Sequence, residues 1–253
     1  MSSKEWPKEG MSKEVLYDAI KGTFGFHYNL DFVSPEMYQA LFDKLAVDGK
    51  TIIDLGAGLA PIEYTDARST YTDILEGRGV RLIPIDSNMP SIQSWRLMQR
   101  ESEFPEDTHV RPVQADARAL PLQPNSVDGA ISANLLNHFT EHAREHVRKI
   151  LEEAFRVIKP GGFFIISTFG YACILDSQGN MRVNNNIPMT EFITRKIIEE
   201  EARRIGFMPE EGDLVDRKMI EWAKPRMLES RKIKGEDVTA ILMEEPVGLL
   251  LRK

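Results

Sequence analysis

The run TIIDLGAGLAP, residues 51–61, leads two β-branched apolar residues and Asp54 straight into Gly56 and Gly58. Such a stretch reads as a buried strand ending in a turn tight enough for a ligand to touch the backbone. Two later apolar runs also end in acids: Asp86 closes VRLIPID (80–86), and Asp116 lies at the end of HVRPVQADA (109–117). Further polar groups follow in NLLNHFTEHAREH, which contains Asn137 and His138, an imidazole being able to take a proton near neutral pH. Two common ligands fit poorly. A dinucleotide fingerprint wants a third glycine and an acid about twenty residues on, whereas position 61 is proline and Asp86 comes 28 residues after Gly58. A phosphate-cradling loop needs a Lys-Ser or Lys-Thr pair, and none follows the glycines.

The elements around these residues alternate. KTIIDLGAG (50–58) reads as strand then turn, and further strand patterns are expected at 80–86, 109–117, 126–139 and 163–168, the fourth of the five with Val127, Ala130 and Ile131 buried. Between them lie a polar, partly helical segment at 61–79, a helix-like SIQSWRLMQR, and a long amphipathic helix from Glu141 to Ile158 stopped by KPGG. Strands separated by helices imply a parallel sheet with right-handed crossovers. Before the first strand, Ser34 and Pro35 announce a helix as N-cap and first helical residue. A helix-like segment from Ser12 and an aromatic cluster, Phe24, Phe26, His27, Tyr28 and Phe32, make residues 1–48 a helical cap or lid over a domain of 49–253. After the fifth strand, 171–188 reads as a loop, Thr190 caps a helix ending at Gly206, and VGLLLRK is a last strand.

Composition narrows the function classes. The chain has 253 residues, 42% hydrophobic and 28% charged, enough for a sizeable core. A formal net charge of −7 argues against embracing a phosphate backbone, and the basic stretch 224–235 reads as a solvated face. No apolar run approaches a membrane span and no secretory signal is visible, so a cytoplasmic location is expected. One cysteine, Cys173, excludes an internal disulfide and a multi-thiolate metal site, and reads as a packing residue. His138, His142 and His146 recur at four-residue spacing, but the outer two would lie about 12 Å apart along a helix. With Glu141, Arg144 and Glu145 interleaved they read as a solvated face, so no metal site is expected.

Taken in order, IIDLGAG (52–58), IPID (83–86), VQADARALPLQPNSVDGAISANLLNHF (113–139) and ILEEAFRVIKPGGFFIIST (150–168) resemble the class I S-adenosylmethionine-dependent methyltransferases, in the branch typified by small-molecule enzymes. The resemblance implies an α/β fold, a doubly wound, mostly parallel seven-stranded sheet with an antiparallel last strand. It implies S-adenosylmethionine as cofactor and S-adenosylhomocysteine as product. The matching positions are Asp54 near the methionine ammonium, Gly56, Ala57 and Gly58 beneath the amino acid end and sugar, and Asp86 with Ser87 at the ribose diol. Asp116 and Ala117 would meet the adenine edge, and the Asn134 backbone the ammonium. His138 and Asn137 sit where related enzymes carry a polar pair facing the methyl, and Tyr171 opens the segment expected to wall the acceptor pocket.

The acceptor is constrained only by exclusion. NLLNHF is not the Asn/Asp-Pro-Pro-aromatic run of amino methylation on bases or glutamine, and no Pro-Cys nucleophile pair stands there for cytosine. A small molecule with an oxygen or nitrogen acceptor is expected. The alternatives are a non-catalytic binding module and an RNA methyltransferase using Arg231, Lys232 and Lys234; oligomeric state stays open.

Overall fold

The computed structural model describes residues 33–58, 71–100, 110–139, 142–183, 193–218 and 237–253, with scattered positions between 220 and 235. The expected first helix, the aromatic cluster, most of the 61–79 segment and most of the basic stretch lie outside the described residues.

Helix α1 (Pro35–Leu45) begins as its sequence demands: the Ser34 side chain accepts from the Met37 N–H, and proline takes the first turn. Strand β1 (Thr51–Leu55) pairs in parallel with β2 (Arg81–Asp86) on one side and β4 (Val127–Ala133) on the other. Short helix α2 (Thr72–Glu76) precedes β2, and α3 (Met89–Arg100) follows it. Strand β3 (Val113–Gln114) is far shorter than the nine residues its apolar pattern suggested. Pro112 has no N–H to offer a ladder, so regular pairing starts only after it. Helix α4 (Ala143–Val157) leads into β5 (Ile158–Leu175), and α5 (Arg195–Ile205) leads into β7 (Met208–Pro209) and β8 (Ala240–Arg252). The main path runs β3-β2-β1-β4-β5-β8-β7, parallel through β5, with β8 antiparallel to both neighbours. That is the expected seven-stranded, mostly parallel arrangement.

An eighth strand, β6 (Met181–Val183), corrects the loop expected at 171–188. Residues 171–175 continue β5, pair with β8 on one edge and with β6 on the other, and turn at 176–180. There the Asp176 carboxylate accepts from the Gln178 and Asn180 N–H groups, and Gly179 takes a left-handed φ of 81°. The short apolar run YACIL carries no clear period, so the turn chemistry of DSQGN reads as a loop until the pairing is seen. The C-terminal strand likewise begins at Ala240, not at Val247. Thr194, rather than Thr190, caps α5, accepting from the Ile197 N–H at 3.3 Å; residues 184–192 lie outside the description.

Alternation along the strands fills two layers. Ile53, Leu55, Ala130, Phe164 and Ile166 pack with Val147, Ile150 and Leu151 of α4 and Ile198 and Ala202 of α5. Ile52, Ile131, Phe163 and Ile165 face the other way, onto Tyr38 and Phe42 of α1 and Trp95 of α3. Helix α1 therefore belongs to the core of the sheet domain.

Gly129 lies opposite Phe163 across the β4–β5 pair, and a Cβ added to it would stand 2.3 Å from the buried ring. Gly129→Ala is expected to cost about 1–3 kcal/mol by overpacking, read from urea denaturation, with partial recovery when Phe163→Leu is added.

Candidate functional site

The site is built where β1, β2 and β4 end. After Leu55 the chain turns through Gly56 at φ 72°, and the Gly56 and Ala57 N–H groups both donate to the Ile85 carbonyl, at 2.8 and 3.1 Å. The turn therefore wraps the end of β2. A Cβ on Gly56 would meet the Leu135 side chain at 2.8 Å, which presses the turn from the β4 side. Gly58, at φ 58°, is different: among the described residues no atom lies within 4 Å of the place a Cβ would occupy. One glycine is required by packing, and the other, among the described residues, leaves its backbone uncovered.

Asp86 closes the arrangement. Its Oδ2 accepts from the Gly58 N–H at 2.9 Å and its Oδ1 from the Asn88 N–H at 2.7 Å. Each oxygen retains a lone pair, enough for two hydroxyls of a diol. The 28-residue separation that weakened a dinucleotide reading is spanned by this one hydrogen bond. Trp95 Nε1 donates to the Gly58 carbonyl at 3.0 Å and fixes the turn from α3. Ser87 is exposed, and its carbonyl accepts from the Gln114 side chain at 3.1 Å; the Ala115 N–H donates to the Asp86 carbonyl at 3.0 Å. These bonds carry the end of β2 across to the loop holding Asp116 and the buried Ala117.

Asp116 is not a bare carboxylate. Arg118 Nε and Nη2 clasp it at 2.9 and 2.6 Å, and the Arg118 N–H adds a bond to Oδ1 at 2.9 Å. The guanidinium holds the Asp116 carboxyl below its usual pKa. Asp54 is 2% exposed and accepts from the Tyr71 hydroxyl at 2.8 Å, so it supports the turn from within the core.

On the β4 side, Asn134 takes a left-handed φ of 58° and its N–H donates to the Ser167 carbonyl at 2.7 Å. Of its backbone groups only the carbonyl can serve as acceptor to an ammonium. A 3₁₀ turn, Leu136–His138, follows. The Asn137 Oδ1 is buried there with no hydrogen-bond partner among the described residues. A buried acceptor of that kind calls for a donor from a bound molecule or water. His138 is exposed, yet burial still lowers its pKa, with the Asp86 charge acting the other way. The three histidines do not share a helix face as expected: His138 is in the 3₁₀ turn, His142 is a left-handed N-cap, and only His146 lies on α4. Among the described residues no group of three or more His, Cys, Asp or Glu could hold a metal.

The structure thus brings together Gly56, Ala57, Gly58, Asp86 and Ser87, sets His138 within the field of Asp86, and places Asp116 on the adjoining loop. Tyr171 pairs with Glu244 in β5, four residues beyond Ser167 and so about 13 Å up the ribbon; its side chain lies outside the described residues. Sequence reasoning missed Tyr71, Trp95, Leu135 and Arg118. Only Arg118 had a signal, a cation two residues from an acid.

The chain is also similar to known proteins in sequence and in fold. A family model described as a methyltransferase domain matches residues 68–166. The malonyl-[acyl-carrier protein] O-methyltransferase of Methylococcus capsulatus is 35% identical over 163 residues, 62% of this chain and 51% of that protein. The match spans about half the length of that relative, and from 26% to 60% of other curated relatives. The Burkholderia thailandensis 1,6-didemethyltoxoflavin N1-methyltransferase, solved with S-adenosylhomocysteine, shares the fold with a TM-score of 0.54 at 17% identity, over 98% of this chain and 93% of that one. The phosphoethanolamine N-methyltransferase 2 of Haemonchus contortus, solved with S-adenosylmethionine, gives 0.57 at 16% identity, over 97% and 60%. These likenesses support a class I S-adenosylmethionine-dependent methyltransferase of the small-molecule type, the family the sequence resembles.

Gly58 and Gly49 both adopt positive φ with no atom of the described residues within 4 Å of the Cβ position, but Gly49 precedes β1 at the opposite end of the strand. Alanine at either is expected to cost about 1–2 kcal/mol of stability through left-handed strain. Only Gly58→Ala is expected also to weaken S-adenosylhomocysteine binding, by about tenfold or more, as one intruding methyl does in a fitted site. Paired thermal melts and calorimetry check this.

Proposed function

We propose that the chain binds S-adenosylmethionine along the strand ends and transfers its methyl group to a small-molecule oxygen or nitrogen acceptor, releasing S-adenosylhomocysteine. The observation that carries this reading is the Asp86 carboxylate, tied to the Gly58 N–H with one lone pair per oxygen still available. A ribose diol is the complementary group. Gly58 gives the sugar and amino acid end room to lie against backbone, the Asn134 carbonyl accepts from the ammonium, and Asp116 with Ala117 meets the adenine edge. The cofactor supplies an already activated methyl on its sulfonium. The chain's task is alignment, which is worth about 7–11 kcal/mol in well-oriented systems.

His138 is the group that takes the acceptor's proton, with Asn137 orienting the acceptor through its buried Oδ1. Burial lowers the His138 pKa, so its imidazole is neutral near pH 7 and can act as a base. Both oxygen and nitrogen acceptors are represented among the similar proteins, and the net charge of −7 opposes a nucleic acid. Tyr171 belongs to the ribbon that would wall the acceptor side.

Calorimetry with S-adenosylhomocysteine is expected to show binding that Asp86→Asn weakens by about tenfold, the worth of a charge-assisted hydrogen bond. No binding by the unaltered chain ends the reading. Binding without transfer to any acceptor in a labelled-methyl screen leaves a binding module instead. Because a lowered histidine pKa means the base is lost only on acidification, the transfer rate is expected to fall as pH drops below the ordinary histidine range. The His138→Gln variant should be slow and lack that limb.

A further inference from the structure

The purine end holds a set of contacts the proposed reaction does not use. Arg118, which clasps Asp116, also places Nη1 2.9 Å from His146 Nδ1 on α4. Its guanidinium carbon lies 5.5 Å from the centre of the Phe139 ring, and that ring packs at 4.7 Å against the His146 imidazole. Three side chains from three parts of the chain thus hold one guanidinium: Asp116 from the β3 loop, Phe139 from the segment after the 3₁₀ turn, and His146 from α4. We propose that Arg118 and His146 are positioning residues of the purine subsite, holding Asp116 in the one orientation that meets the adenine amine, and that the hold requires His146 to be neutral. This rests on the reading of Asp116 as the adenine contact.

Donor and acceptor counting carries the inference. A guanidinium only donates, so the Nδ1 facing it must present a lone pair, which fixes the Nε2–H tautomer of a neutral ring. Protonation would set an N–H against an N–H and a second positive charge beside the first. The same count applies to Asp116. Three Arg118 hydrogens engage it: the backbone N–H on Oδ1, the Nη2–H on Oδ2, and the Nε–H shared between Oδ1 at 2.9 Å and Oδ2 at 3.1 Å, so the one site not held by a full bond is on Oδ2. One lone pair fits one amine N–H, and its direction is set by how the clasp is seated. A carboxylate free to rotate would offer no fixed direction.

The charges around His146 are Arg118 and Asp116 from the β3 loop and His142, Glu145 and Lys149 from its own helix and cap. Burial lowers the His146 pKa most, followed by Arg118; Glu145 opposes them, and Lys149 and His142 add to the lowering. Asp116, held low by Arg118, stays ionised throughout the range in which a histidine titrates. The contact is therefore intact at neutral pH and is lost as pH falls through the lowered His146 value. The sign is unambiguous: purine affinity weakens on acidification.

The test is the affinity for S-adenosylhomocysteine by calorimetry from about pH 5 to about pH 8, the histidine range. All proteins carry His138→Gln, which removes the imidazole beside Asp86 from the titration. On that background affinity is expected to fall by about tenfold toward low pH, the equivalent of one charged hydrogen bond. Adding His146→Gln, whose amide oxygen accepts from Arg118 and does not titrate, should flatten the profile at the high-pH affinity. Adding His146→Leu should flatten it at the weak level, and Arg118→Gln likewise. An unchanged slope in the His146→Gln protein overturns the proposal. Asp116→Asn and the inosine analogue of the ligand, which has a carbonyl oxygen in place of the amine, test the foundation. If neither weakens binding, the adenine contact itself is wrong. If both do and the slope persists without His146, only the positioning role fails.

Discussion

The site depends on the ends of parallel strands meeting at one carboxylate. Parallel pairing brings Leu55 level with Ile85, so the turn after β1 and the acid ending β2 emerge side by side. The Ile85 carbonyl takes two N–H groups of the turn, and Asp86 takes a third from Gly58. A carboxylate fixed by backbone donors on both oxygens has little rotational freedom, so its remaining lone pairs point in fixed directions. Preorganisation of this kind is obtained from strand geometry alone.

The same logic governs the β4 side. Gly56 can have no side chain because Leu135 occupies the space, and Leu135 is placed by the left-handed turn at Asn134 that bonds back to Ser167. The turn, the crest of β4 and the 3₁₀ turn bearing His138 are thus one packed unit. A change at Leu135 would reach the glycine turn and the candidate base together, although Leu135 presents no chemistry of its own. The two layers of core beneath, one on α4 and α5 and the other on α1 and α3, hold the crest rigid from both faces.

Beyond the crest the molecule departs from a plain doubly wound sheet. Strands β5 and β8 run on together from Phe169 and Pro246 to Leu175 and Ala240, and β6 adds a third strand there. Thr239 caps this ribbon by donating through its N–H to the Leu175 carbonyl at 2.7 Å, and Asp237 accepts from the Ser177 hydroxyl at 2.7 Å. The extension continues β5, the strand against which the 3₁₀ turn of Asn137 and His138 lies.

Much of the site was legible from residue order alone. Asp54, Gly56, Gly58 and Asp86 were marked by apolar runs that stop at an acid or a glycine, because strand ends and tight turns demand those types locally. The sheet order followed from alternating strand and helix periods, and the Ser34 cap from its own hydroxyl. Local patterns could not reveal the partners. Tyr71 under Asp54, Trp95 on the Gly58 carbonyl and His146 on Arg118 join residues 17, 37 and 28 positions apart. The ribbon at 169–175 was hidden for the same reason, since its strand character comes from pairing with residues 240–246. The sequence by itself determined which groups bear charge and where the backbone can bend. Only the tertiary structure decided which of those groups face one another, because hydrogen bonds and packing between distant segments leave no period in the chain that makes them.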